Sequence, residues 1–174
     1  PGLAALIDID AGRTVVYGDD LGLDAIVWTG PQPSVSDLAG DAGVGAVAAF
    51  VGTVRDRGDA GAVRAMELEH YPGMTERAIE AMIDEARRRF DLRGVRVIHR
   101  VGPLALTDQI VLVAVTSAHR QAAFEGCEFL MDYLKTQAPF WKKESTPEGA
   151  HWVDARVADD AALARWGINA GNAS

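Results

Sequence analysis

A chain of 174 residues, 48% of them hydrophobic, is long enough for one domain with a core of its own, or one domain with a small appendage. Its formal charge of −8 makes the surface as a whole repel nucleic acid and anionic membrane, and it has no run of about eighteen apolar residues of the kind that crosses a bilayer. The single cysteine, Cys127, excludes an internal disulfide framework and fits a cytoplasmic location.

The start, PGLAALIDIDAGR, is short and carries acids, so no signal peptide is expected, and a first residue of Pro reads as a trimmed end. Residues 1–24 look like a separate small unit. LIDID and TVVY are β-prone runs joined by AGR, which predicts a hairpin. DAIVWTG gives another strand, ended by Gly30, Pro31 and Pro33. Ser34 or Ser36 can cap a short helix over SDLAGDA, weakened by its glycine. GAVAAFVGTVR reads as a buried strand with a basic tip, Arg55. DRGDAG is turn chemistry, and VRAMELEHY alternates as the next strand.

PGMTERAIEAMIDEARRRF is the clearest helix. Pro72 precedes it, Thr75 is an alternative cap, and Met74, Ala78, Ile79, Met82, Ile83, Ala86 and Phe90 form one apolar stripe. VRVIHRVG is a strand, and TDQIVLVAVTSA a longer, buried one. A second helix runs from about His119 to Thr136, with Ala123, Cys127, Leu130, Met131 and Leu134 on its inner face and Pro139 as its stop. FWKKEST and AHWVDAR are two final strands around the turn PEG, and DDAALARW forms a last helical turn or two. Strands that meet directly through turns, beside two strong helices, favour α+β over a doubly wound parallel sheet.

The cations carry the chemical signal. All three lysines, Lys135, Lys142 and Lys143, fall together, while the other fourteen cations are arginine. Arginine stays protonated; a crowded or buried lysine can give up its proton and act as acid, base or nucleophile. Lys135 ends the second helix and Lys142 follows beyond Pro139 on a strand, so the two can fold back to face each other. Held close, each ammonium disfavours the other's charge. The bland alternative is two solvated lysines beside ordinary core aromatics. His119 and Arg120 open the same helix, where backbone N–H groups and a guanidinium suit an anion. Arg55 ends a strand just after Gly52, which permits close backbone approach. Cys127 lies among apolar helix positions and reads as structural. No CxxC, HxxxH or HExxH is present, so a metal site has little support. P-loop and GxSxG signatures are also absent.

The segments VGTVRDRGDAGAVRAMELEHYPGMTERAI, VIHRVG, TSAHRQAAFE and MDYLKTQAPFWKKESTPEGAHWVDAR together resemble the large, catalytic subunit family of molybdopterin synthase, in order from about Ala25 to Trp166. The resemblance implies an α+β, α/β-hammerhead-like fold with a mixed antiparallel sheet, two main helices and a smaller β subdomain. It divides the chain into an extension at 1–24, a catalytic domain at 25–166 and a tail at 167–174. The implied activity adds two sulfurs to cyclic pyranopterin monophosphate, giving molybdopterin. The sulfur arrives as a thiocarboxylate on the C-terminal Gly-Gly of a small ubiquitin-like partner, and family members form a dimer within a heterotetramer. Lys135 and Lys142 are the implied catalytic pair. Thr53, Val54, Arg55, His119, Arg120, Lys143, Glu144 and Arg156 are the implied substrate-binding residues. No metal or other cofactor is implied. The chain has no Gly-Gly, so its sulfur is expected from a separate subunit. Two other readings use the same residues: a lysine Schiff-base lyase acting on a phosphorylated small molecule, and a non-catalytic docking module for a ubiquitin-like protein.

Overall fold

The structure is a computed structural model that describes residues 6–10, 13–17, 42–58, 61–147, 149–153, 162 and 164–168. The strand expected over residues 24–30, the helix begun at Ser34 or Ser36, and Arg156 lie outside the described residues.

Eleven described strands and two described helices build two main sheets. The first has five strands in the order β2-β1-β7-β9-β3: β1 is Leu6–Asp10, β2 Arg13–Tyr17, β3 Ala46–Thr53, β7 Leu92–Arg100 and β9 Gln109–Ser117. The second has four strands in the order β11-β10-β6-β8: β6 is Ala65–His70, β8 Gly102–Ala105, β10 Phe140–Thr146 and β11 Gly149–Val153. Two short strands, β4 (Arg57–Gly58) and β5 (Gly61–Ala62), pair separately. Every described strand pairing is antiparallel. The fold is α+β, with the four-stranded sheet as the smaller β unit. The N-terminal hairpin forms, but its register continues into β7, from Leu6 opposite Arg100 to Asp10 opposite Arg96. It is therefore part of the larger sheet and not a unit apart.

The helices α1 (Met74–Arg89) and α2 (Arg120–Thr136) cover the five-stranded sheet. Ile79, Met82, Ile83 and Ala86 of α1 bury against Val95, Val97, Val113 and Val115 of the sheet and Phe129 and Leu130 of α2. Side chains at i, i+3 and i+4 meet strands whose alternate residues face inward, which is why two periodicities share one core. Met74 departs from its expected place: it is exposed, at the first turn of α1. Thr75 is no cap. The cap residue is Gly73, whose N–H donates to the Glu76 carboxylate, while Thr75 is buried and its hydroxyl donates to the Pro139 carbonyl at 3.2 Å. That bond ties the start of α1 to the turn that launches β10.

The segment expected as one strand over residues 95–102 serves both sheets. β7 ends at Arg100, and Gly102, at φ 88°, turns the chain into β8. Glycine alone adopts that backbone without a Cβ clash. A second small core of Val54, Met66, Leu68 and Leu104 fills the four-stranded side, and half-buried Ile110 touches both cores. At the end of the described chain, Trp166 packs edge-on against Phe90 and Phe129, at 5.8 and 5.6 Å between centroids.

Candidate active site

A cavity of about 650 Å³ lies where the two sheets meet the C-terminal end of α2. Several elements line it, and three stretches of chain bring its lysines, its arginines and Glu144. From α2 come Met131, Leu134 and Lys135; from β10 come Phe140, Lys142 and Glu144; from β3 and the turn after it come Phe50 to Arg55, then Arg57 and Gly58. Lys135 and Lys142 are thus brought to one cavity although Pro139 separates their elements. The Thr75–Pro139 bond sets where β10 begins, and the antiparallel register of β10 with β6, Lys142 opposite Leu68, sets which face each β10 residue takes.

Lys142 does not meet Lys135 as one bare ammonium meets another. Its Nζ lies 2.9 Å from Oε1 of Glu144, which sits two residues along the same strand face. A buried carboxylate at that distance offsets the repulsion between two cations. Lys143 alternates to the opposite face of β10, where its ammonium lies over the Trp152 ring at 5.5 Å, and it is not among the cavity's lining residues.

Arg55 projects from a loop fixed by the β8–β9 turn. The Val54 N–H donates to the Asp108 carbonyl, and the Thr107 N–H donates back to the Val54 carbonyl, both at 2.9 Å. Thr107 makes this turn at φ 71°, a left-handed backbone that a β-branched residue rarely adopts. Thr53, Val54 and Arg55 all line the cavity.

His119 and Arg120 do not. His119 is the N-cap of α2 and Lys135 lies in its last turn. At 1.5 Å per residue, the helix holds the two ends ~24 Å apart. Within one chain, the expected anion pair cannot reach the lysine pair.

Other residues reach the cavity without having been singled out by sequence. Arg57 adds a second guanidinium beside Arg55. His99, on β7, stacks on Phe140 with centroids 4.0 Å apart and planes 16° apart. Its Nδ1 lies 2.8 Å from the Arg100 carbonyl. Burial drives its pKa down to about 4, against the pull of that backbone bond, so the ring is neutral at ordinary pH. A histidine inside a β run gives no sign of this, because its neighbour Phe140 is forty-one residues away in sequence. Cys127 is buried, 3.9 Å from the Val113 carbonyl, and burial pushes its thiol up to about 11, with Glu128 adding to the effect. Among the described residues no group of His, Cys, Asp and Glu side chains could hold a metal ion, and no helix is long and apolar enough to cross a membrane.

The comparisons with known proteins point one way. The model of the MoaE protein family matches residues 31–137. A molybdopterin synthase catalytic subunit of Ralstonia nicotianae is 63% identical over 136 residues, covering 78% of this chain and 77% of that one. One from Escherichia coli is 55% identical over 145 residues, covering 80% of this chain and 97% of the relative. The solved structure of a molybdopterin biosynthesis MoaE protein from Burkholderia ambifaria superposes with a TM-score of 0.65 at 56% identity, over 87% of this chain and 95% of that one.

Proposed function

The chain belongs to the MoaE protein family and is the catalytic subunit of a molybdopterin synthase, and we propose that its Lys135–Lys142 cavity is where sulfur is transferred. The observation that carries this reading is the gathering of two lysines and two arginines, Arg55 and Arg57, on one cavity of a chain whose net charge is −8. The acceptor is cyclic pyranopterin monophosphate, and the donor is the thiocarboxylate at the C-terminal Gly-Gly of a small ubiquitin-like subunit. Both are anions. Charge-assisted hydrogen bonds from guanidinium groups hold them, and the lysines move protons as sulfur attacks. The chemistry needs no metal or redox cofactor from this chain, and a cytoplasmic location suits a protein whose one cysteine is a free thiol.

The active unit is a dimer. β3 stands at the end of its sheet, with Phe50 and Val51 42% and 41% exposed on it. Among the described strands nothing pairs with its outer edge, and an edge of eight residues carrying exposed apolar side chains is a template for strand pairing. Antiparallel pairing of β3 with its own symmetry mate sets the Ala46 end of one copy against the Thr53 end of the other. Ser117, at the end of β9, pairs with Ala46. The second copy's Ser117 then stands about two strand spacings, ~10 Å, from Thr53 at the cavity, and His119 and Arg120 follow it two and three residues along the chain. In this arrangement each site takes Lys135, Lys142 and Arg55 from one copy and the helix-start anion pair, His119 and Arg120, from the other. Arg156 is proposed as a further pocket cation. Lys143, on the far face of β10, acts on the substrate only through its neighbours.

The test of the reaction is direct: the chain is mixed with thiocarboxylated small subunit and cyclic pyranopterin monophosphate, and molybdopterin is assayed. No product would overturn the reading, and borohydride trapping of a substrate imine on Lys135 or Lys142 would replace it with Schiff-base chemistry. The shared site is tested by mixing two impaired variants, Lys135→Ala and Arg120→Ala, at a pterin concentration far below the raised KM of the second, where each alone turns over slowly. Exchange of subunits should restore activity at about a quarter of the sites, because half the dimers are mixed and each of those rebuilds one intact site. No recovery would place both residues in a site built by one chain.

A further inference from the structure

Lys142 has a row of neighbours that leads from the cavity wall, through Glu144, to a histidine outside the cavity lining. Glu144, 5% exposed, holds the Lys142 ammonium through Oε1. Its other oxygen, Oε2, is turned towards Gly58 of β4, where a Cβ would stand 2.3 Å away. Any side chain at position 58 would displace the carboxylate, so the strand is moulded to it. The β10–β11 register sets Glu144 opposite His151. The His151 Nε2 lies 4.0 Å from Oε2; that nitrogen is buried without a hydrogen-bond partner, although 37% of the side chain is exposed. The ring therefore has one nitrogen inside, beside the carboxylate, and part of its surface open to water. His151 does not line the cavity. A buried ring nitrogen without a partner is costly, and a shift of about 1 Å brings this one to hydrogen-bonding distance from Oε2. The charged groups facing this row are Lys142 and Glu144 on β10, with Arg55, Arg57 and Lys135 across the cavity.

We propose that His151 is a positioning residue that connects Lys142 to bulk water through Glu144. The inference rests on the sulfur-transfer reading above. Once Lys142 has given its proton to the reacting centre, its amine takes one from the Glu144 carboxyl. That carboxyl is supplied by protonated His151, and His151 by water. Only N–H and O–H bonds form and break, and no oxidant or cofactor enters. Two sulfur transfers per product require the lysine to be reset twice, which gives such a path its use.

The test compares His151→Ala and His151→Gln with the wild type in the complete assay, with both substrates varied. The expected result is a kcat lower on the order of tenfold to a hundredfold in both, below or at the low end of direct general acid–base effects, with KM unchanged. Added imidazole should restore much of the loss in His151→Ala, which a merely structural histidine would not allow. In a Lys142→Ala background, His151→Ala should cost nothing further, because the two lie on one path. Full kcat in His151→Gln, or no rescue by imidazole in His151→Ala, would overturn the relay. A wild type that makes no molybdopterin would instead overturn the reaction, and the relay with it.

Discussion

Lys135 and Lys142 differ in setting. Lys135 stands exposed in the last turn of α2, whereas Lys142 is half-buried in a strand and ion-paired. If Lys135 moves protons, Lys135→Ala should lower turnover on the order of 10²–10⁴-fold with the fold intact. Lys135→Arg should rescue poorly, since guanidinium keeps its charge but does not release its proton. Wild-type turnover in the Arg variant would leave only an electrostatic role. Cys127 is the opposite case. With its thiol at about 11 it stays protonated at neutral pH, so Cys127→Ala should keep activity and lose roughly 1 kcal/mol of stability, measured by urea unfolding. His99 gives a pH dependence with a definite sign. Its folded pKa of about 4 lies below the ordinary 6.5, so the unfolded chain takes up the proton first. The stability of the neutral, buried ring is complete above pH 6.5 and falls as pH drops from 6.5 towards 4, by about 3 kcal/mol in all. His99→Gln should flatten unfolding free energy against pH over that interval; an unchanged slope would show that the ring titrates normally in the folded protein.

Among the elements, helices were the most legible and strand burial the least. The stripe of α1 and the inner face of α2 hold apart from exposed Met74, with Ala78, Phe90 and Met131 half-buried, because helical spacing alone decides which residues share a face. β3 was expected to be buried from its apolar run, yet of its eight residues only Ala48 is buried. An apolar run reads the same whether a strand lies in the middle of a sheet or at its edge, since the neighbours come from elsewhere in the chain. The β8–β9 turn hides its cost in the same way. Nothing in LTDQI marks Thr107 for a left-handed backbone; the pair of bonds to Val54 imposes it. Thr107→Gly should relieve that strain and raise stability by about 0.5–1 kcal/mol, the αL penalty less the entropy that glycine adds to the unfolded chain. A lower midpoint in urea would mean that the threonine side chain contributes more than its backbone costs.

At the scale of the whole molecule, an acidic protein handles anions by concentrating cations at one place. Arg55→Ala and Arg120→Ala should each raise KM for the pterin substrate with a smaller effect on kcat, the loss of one charge-assisted contact costing roughly 1.5–3 kcal/mol. Unchanged KM in both would remove them from the substrate's anionic group. The dimer makes a separate demand. Ala49→Lys places a charge on the outermost described strand, outside the cavity lining, and sedimentation should show monomers, with activity lost although no cavity residue is touched. An active monomer would show that each chain carries a complete site.

The sequence by itself determined the α+β class, the two helices, the placement of Lys135 at a helix end and Lys142 on the following strand, and, through its resemblance, the reaction. These follow from local periodicity, from proline and glycine, and from residue types in a fixed order. Tertiary structure alone decided that Glu144 pairs with Lys142, that Gly58 makes room for it, and that His151 stands behind it, because these contacts come from strand register and not from spacing along the chain. It also decided that His119 and Arg120 lie at the wrong end of α2 to join the lysines of their own chain. A helix of fixed rise separates its two ends by a distance that no side chain spans.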